Sequence, residues 1–243
     1  LSFGSGLGAF FFGRDEGFYY RASGAELLWT SERGLRLDWR AFAERQRNAV
    51  KETNLSLGAN FMPNVASANV DAAGAGVRFL HTTGLDPRGF RTFTDFRLEG
   101  AGGDSSYGRA ALDVTLSQGL FGKVDGAVTL AGGTTVGQVP AQRRWFLGGT
   151  QTIRGQTPDT TQSGNAFWMG RVELARAQTG FRTSLFGDIG WVGDRTTMSD
   201  VGRPLSGVGV GWSFLDGLIR FDVARGIYPR QQTRLSLYLG ARF

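Results

Sequence analysis

The chain has 243 residues, 38 of them glycine, a formal net charge of +6 and no cysteine, so disulfides and thiolate sites are excluded. No run approaches the roughly 18 uninterrupted apolar residues of a membrane helix. Glycine far exceeds its usual share of about 7% without the every-third-residue period of collagen. The positive charge is nearly all arginine, Lys51 and Lys123 being the only lysines, and it is spread along the chain. A nucleic-acid surface would gather it on one face, so no nucleic-acid partner is expected.

Strands dominate the chain order. Leu35-Arg36-Leu37-Asp38-Trp39-Arg40-Ala41 alternates apolar and charged residues with period two, and so do Leu112-Asp113-Val114-Thr115-Leu116-Ser117 and Ile219-Arg220-Phe221-Asp222-Val223. This pattern predicts strands over 2–12, 16–29, 34–46, 50–60, 69–83, 89–101, 106–117, 121–135, 165–176, 180–192, 204–214, 217–227 and 233–243. That makes thirteen, or twelve if the break near Gln46 to Lys51 is not real. Turn signals at Ser31–Gly34, Leu85–Gly89, Gly102–Ser105 and Gln118–Leu120 divide them. The alternation suits either a soluble sandwich or a transmembrane barrel, whose strands put apolar residues toward lipid and polar ones toward the lumen. Strands of ten residues or more favour the barrel, since soluble strands average about five or six and about ten cross a bilayer. No helical period, linker or second domain is evident, so 1–243 reads as one all-β domain.

The 136–164 segment is too long for a hairpin and is rich in Gly, Thr and Gln. Five predicted strands follow it. In the last, Leu235, Leu237, Leu239, Ala241 and Phe243 share one face, while Ser236, Tyr238, Gly240 and Arg242 share the other. Strand parity also aims charges. Leu185, Ile189 and Trp191 make a lipid-like face, so Phe186, Asp188 and Gly190 point inward; Val172 and Leu174 face lipid, so Glu173 points inward. Two inward acids on neighbouring strands suit an arginine, and Arg154 in the long segment is the candidate. Lumen water is expected to screen the pair to about 1 kcal/mol, with more if the contact is partly buried and bidentate. Gly155 lets the backbone turn beside the wall. The shared face of Gly207, Gly209 and Gly211 reads as inward, where a loop presses on the sheet.

The run Arg143-Arg144-Trp145-Phe146-Leu147-Gly148-Gly149-Thr150-Gln151-Thr152-Ile153-Arg154-Gly155, then Glu173, then Phe186-Gly187-Asp188-Ile189-Gly190, resembles the barrel of the bacterial surface antigen superfamily. These are the outer-membrane assembly factors and two-partner secretion transporters. The resemblance implies an antiparallel transmembrane barrel of about sixteen strands, of which this chain would hold the last twelve or thirteen, with the 136–164 loop folded into the lumen. It implies a loop motif of Leu147, Gly148, Gly149, Ile153, Arg154 and Gly155, held by Glu173, Phe186, Asp188 and Gly190. It further implies that the last strand, through Tyr238, Leu239 and Phe243, is read by the outer-membrane assembly machinery. The family usually has an aromatic after Arg-Gly; here Gln156 stands there, which predicts a lost apolar contact at the loop tip.

The function implied is insertion or export of client polypeptides in the outer membrane of a bacterium or a derived organelle, in contact with its lipid. The alternative is a passive porin whose arginine-rich lumen favours anions; a barrel lipase or protease is a third reading. No catalytic residue, metal site or cofactor is expected. His81, the only histidine, reads as an interfacial side chain at a strand end.

Overall fold

The computed structural model describes residues 18–32, 35–50, 64–86, 88–158, 160–197, 202–215 and 217–239. Eleven long strands form one antiparallel sheet. They are β1 (Tyr20–Glu32), β2 (Arg36–Asn48), β3 (Val70–Thr83), β4 (Arg91–Gly103), β5 (Tyr107–Gly119), β6 (Val124–Gly137), β9 (Ala166–Gln178), β10 (Phe181–Gly193), β11 (Leu205–Phe214), β12 (Ile219–Tyr228) and β13 (Thr233–Leu239). Two-residue strands β7 (Trp145–Phe146) and β8 (Ser163–Gly164) pair with each other inside the long loop. Each long strand pairs with its neighbours in sequence, and β6 pairs with β9 across the loop. Among the described residues β1 and β13 are the two edges.

Eleven of the expected strands lie among the described residues. The strand expected over 2–12 lies outside the described residues, as does most of that over 50–60. β2 and β3 pair directly, from Arg36↔Leu80 to Gln46↔Val70. Phe243 also lies outside the described residues, while Tyr238 and Leu239 end β13, opposite Arg220 and Ile219. The other expected strands are present, five of them after the long loop. Strands of 13 residues span about 30 Å when tilted by roughly 45°.

The alternation becomes two faces. Val172, Leu174, Leu185, Ile189 and Val208 are exposed on one side, where Trp212 stacks on Phe221 and Phe181 on Phe214. Phe186, Asp188, Ala175, Asp222 and Ala224 are buried on the other. Trp191 keeps the parity of Leu185 and Ile189 but is buried near the strand end, with its indole over Gly193. The long loop touches β2 through Glu44 and β13 through Arg234. A sheet whose second and last strands meet one segment must curl around it, so the buried face is concave.

Connections differ between the two ends. Those at residues 33–35, 84–90, 120–123, 179–180 and 215–218 are short. The other end carries the long connections, 49–69, 138–165 and 194–204, together with two short ones, 104–106 and 229–232.

Candidate functional site

The loop is built to press a tight turn against the wall. Gly148 and Gly149 have φ of +111° and +87°, a region that only glycine enters without strain. Gly148 N–H donates to Thr152 Oγ1 at 2.8 Å and Gly149 N–H to the Gln156 carbonyl at 2.7 Å. The turn buries Leu147 and Ile153 against Phe167, Met169 and Leu205. Gly190 makes room for them: a Cβ there would lie 3.0 Å from Ile153 Cδ1 and 3.1 Å from Leu147 Cδ1.

Arg154 leads from this apolar seat into a charged one. Its Nε donates to Asp188 Oδ2 at 2.8 Å and its Nη2 to Asp188 Oδ1 at 2.7 Å, a two-pronged pair. Its backbone N–H adds a third bond to Asp188 Oδ2 at 2.9 Å. Nη1 donates to Glu173 Oε2 at 3.1 Å, and Asp222 lies 3.6 Å away. The guanidinium sits 3.4 Å from the centre of the Phe186 ring, a stacking contact that a lysine could not reproduce. The expected partners Glu173, Phe186 and Asp188 therefore all touch Arg154, and Gly190 touches its neighbours.

The side chains of Arg154 and Asp188 are 3% and 0% exposed, so of the two expected cases the pair is the buried, bidentate one and not the water-screened one. Burial alone would lower the Arg154 pKa. Its hydrogen bonds and attraction to Asp188, then Glu173 and Asp222, outweigh burial and hold it above its ordinary value. It is a permanent cation at any workable pH.

Arg220 completes the cluster from β12. It donates to Glu173 Oε1 and Oε2 at 2.9 Å each and to Asp222 Oδ1 at 2.7 Å. The sequence contained this signal, since the alternation of Ile219 to Val223 puts Arg220 and Asp222 on the inward face. With Arg171 at 3.4 Å from Asp188, three arginines thus share three acids, and each buried charge has an opposite neighbour.

Close approach requires glycine in the wall. A Cβ on Gly207 would meet the Arg154 carbonyl oxygen at 2.0 Å, and one on Gly209 would meet the Phe186 ring at 2.5 Å. Gly155, with φ of +86°, packs its backbone on Gly226. Gln156 supplies a different contact in place of the apolar one expected to be lost at the tip. It is fully buried, and its Nε2 donates to the carbonyls of Ser206 at 3.0 Å and Arg230 at 3.1 Å. The amide replaces an apolar contact with hydrogen bonds to two wall segments.

A second anchor lies at the start of the loop. Arg143 Nη2 donates to Glu44 Oε1 at 2.8 Å, and Glu99 lies 3.5 Å from Nη1. Tyr107 donates to Glu99 at 3.0 Å, and Gln142 Nε2 donates to Gln46 Oε1 at 2.6 Å. Arg109 stacks 3.7 Å from the Trp145 ring. Sequence reading missed this anchor. Parity places Glu44 and Glu99 inward, but nothing local shows that Arg143 reaches back across the sheet to them.

Comparison with known proteins bears on the whole wall. No curated protein matches the chain. Among solved structures, BamA from Haemophilus ducreyi lacking POTRA domains 1–3 is similar, with a TM-score of 0.60 at 14% identity. The match covers 90% of this chain and 54% of that one, so the chain spans about half the length of that structure. At that identity the likeness concerns the fold: an antiparallel all-β barrel wall. The Omp85 superfamily domain matches residues 82–243. That segment holds the long loop, its seat on Asp188, Glu173 and Asp222, and the five strands after it; the chain belongs to the Omp85 superfamily.

Proposed function

We propose that this chain is the wall of a bacterial outer-membrane barrel that inserts or exports polypeptides. The observation that carries the reading is the loop turned inward and fixed by the buried Arg154 cluster, in a chain of the Omp85 superfamily. A docked interior loop narrows the passage and braces strands β9 to β13 against each other. Among the described residues β13 is an edge of the sheet, and a seam at such an edge can open to template an incoming strand. The outward aliphatic and aromatic side chains suit lipid, and the short connections suit the periplasmic end, as in outer-membrane barrels generally. The last strand, ending in Tyr238, Leu239 and Phe243, would be the segment read by the assembly machinery. No step in this mechanism needs a nucleophile, metal or cofactor.

Paired interior charges do not favour the porin alternative. Arg40, Arg143, Arg154 and Arg220 each face a carboxylate and offer no free cationic lining to a passing anion. The test is complementation in cells depleted of the full-length protein, read beside planar-bilayer conductance and ester hydrolysis. Restored assembly or secretion of client proteins by the wild type, and not by Arg154→Ala, supports the reading. Steady anion conductance with no effect on client proteins would replace it with the porin, and hydrolysis with the enzyme.

A further inference from the structure

The loop is held at two places, and the two sets of partners belong to different parts of the wall. Among the described residues, Arg154 and Thr157 reach wall strands that follow the loop: Glu173 on β9, Asp188 on β10, Asp222 on β12 and Arg234 on β13. Gln142 and Arg143 reach segments that precede it. Gln142 Nε2 donates to Gln46 Oε1 on β2 at 2.6 Å and to the Ala68 carbonyl at 3.0 Å, and its Oε1 accepts the Ala68 N–H at 3.0 Å. Arg143 meets Glu44 on β2, Glu99 on β4 and the Tyr20 ring on β1, 5.9 Å from its guanidinium. Phe18, just ahead of β1, packs on Phe146 with ring centres 4.6 Å apart. The loop therefore crosses the concave face from the early strands to the late ones, as a strap.

The two anchors differ in strength. Asp188 takes two prongs and the backbone N–H of Arg154, Glu173 takes Nη1, and Phe186 covers the guanidinium. Arg143 has one short bond, 2.8 Å to Glu44, and a 3.5 Å contact with Glu99. Glu99 is shared, since Tyr107 donates to it at 3.0 Å and Arg40 lies 3.5 Å away. Arg109, directly opposite Glu99 across β4 and β5, has no ion pair among the described residues and adds a second cation beside Arg143. The Nε atoms of Arg109 and Arg143, the Trp145 indole Nε1 and the Thr135 hydroxyl are buried here with no hydrogen-bond partner among the described residues. The side chains of the Arg154 cluster contain no such atom. A buried network with unmatched donors is less stable than a fully matched one.

We propose that Arg143 is a second positioning residue of the loop, tying the strands before it to those after it, and that its anchor opens first while Arg154 stays seated. Release of Glu44 then frees β1 to β5 from β9 to β13 without emptying the lumen. The wall can widen, and the seated Arg154 half guides the strap back to its docked state. The use of that opening for a client strand rests on the function proposed above; the strap itself does not.

The experiment is hydrogen–deuterium exchange of the folded full-length protein in detergent, read separately for peptides covering 138–144 and 148–156. Heat modifiability checks that each variant has formed its barrel. In the wild type the first segment should exchange about tenfold faster than the second, or more. Arg143→Ala, and independently Glu44→Gln, should speed the first segment by about tenfold or more, as expected for losing a hydrogen bond between charged groups, and leave the second within about twofold. Arg154→Ala should do the reverse. Arg143→Lys should keep the first segment within about threefold of the wild type, because an ammonium can serve the single bond to Glu44; Arg154→Lys should fail to protect the second. Spin labels at Ala41 on β2 and Val208 on β11 read the strap. Their distance distribution should broaden in Arg143→Ala and in Arg154→Ala, while that between Ala41 and Leu98 stays unchanged. Equal acceleration of both segments by either variant overturns the proposal, as does a first segment that Arg143→Ala and Glu44→Gln both leave within about twofold. A wall distance that neither variant changes also overturns it, and equal exchange of the two segments in the wild type overturns the order of release. If the strap behaves as described but client proteins are neither inserted nor exported in complementation, the functional reading falls and the strap stands.

Discussion

Removing Arg154 should release the loop without unfolding the wall. The arginine makes three side-chain hydrogen bonds to Asp188 and Glu173, and its main partner is fully buried. Truncating one member of a buried pair leaves the other charge stranded, at a cost of about 3–5 kcal/mol. In Arg154→Ala the stranded Asp188 keeps only Arg171, at 3.4 Å, and a backbone N–H, so the lower end of that range applies. About 3 kcal/mol raises the undocked fraction of the loop by a hundredfold or more. The apolar seat of Leu147 and Ile153 remains, so the loop should open reversibly rather than be lost. Asp188→Ala should cost a similar amount by stranding Arg154 beside Glu173. The double variant should cost far less than the sum, because both singles remove one contact. The assay is the rate of protease cleavage within 136–164 in the folded full-length protein, converted to an opening free energy for all four members of the cycle. Additivity to within about 0.5 kcal/mol would refute the reasoning.

Arg154→Lys should behave nearly as badly as Arg154→Ala in the same cleavage assay, because an ammonium cannot supply both prongs to Asp188 or stack on Phe186. Gln156→Ala should destabilise the docked loop by about 1–3 kcal/mol, since two buried carbonyls lose their donor; a wild-type cleavage rate would show that the amide contributes nothing. Gly207→Ala should undock the tip, because the new Cβ would lie 2.0 Å from a backbone oxygen; tight docking with wild-type protection would show that the wall yields there. Phe243→Asp should lower the yield of heat-modifiable barrel in outer-membrane fractions, and an unchanged yield would count against the terminal assembly signal.

Much of this was legible in the sequence because a strand has a period of two. Parity alone put Glu173, Phe186 and Asp188 on one face, and the length of the 136–164 segment offered a place for Arg154. The loop seat was thus available from local pattern joined to a motif. Arg220 and Asp222 were equally visible by parity, but their role depends on where β12 lies relative to β9, a matter of sheet curvature. The Arg143 anchor was not legible for a related reason. Its partners Glu44 and Glu99 are 99 and 44 residues away in sequence and meet it only because the sheet curls. The hydrogen bonds of Gln156 were not legible, because the wall carbonyls of Ser206 and Arg230 opposite it are 50 and 74 residues away in sequence.

The most direct test of the central claim is site-specific photocrosslinking in living cells from Ser236, on the β13 edge of the full-length protein. The account predicts covalent adducts with newly exported polypeptides that disappear when Arg154 is replaced by alanine. Absence of any polypeptide adduct, in cells where the folded barrel is present and protease-resistant, would contradict it.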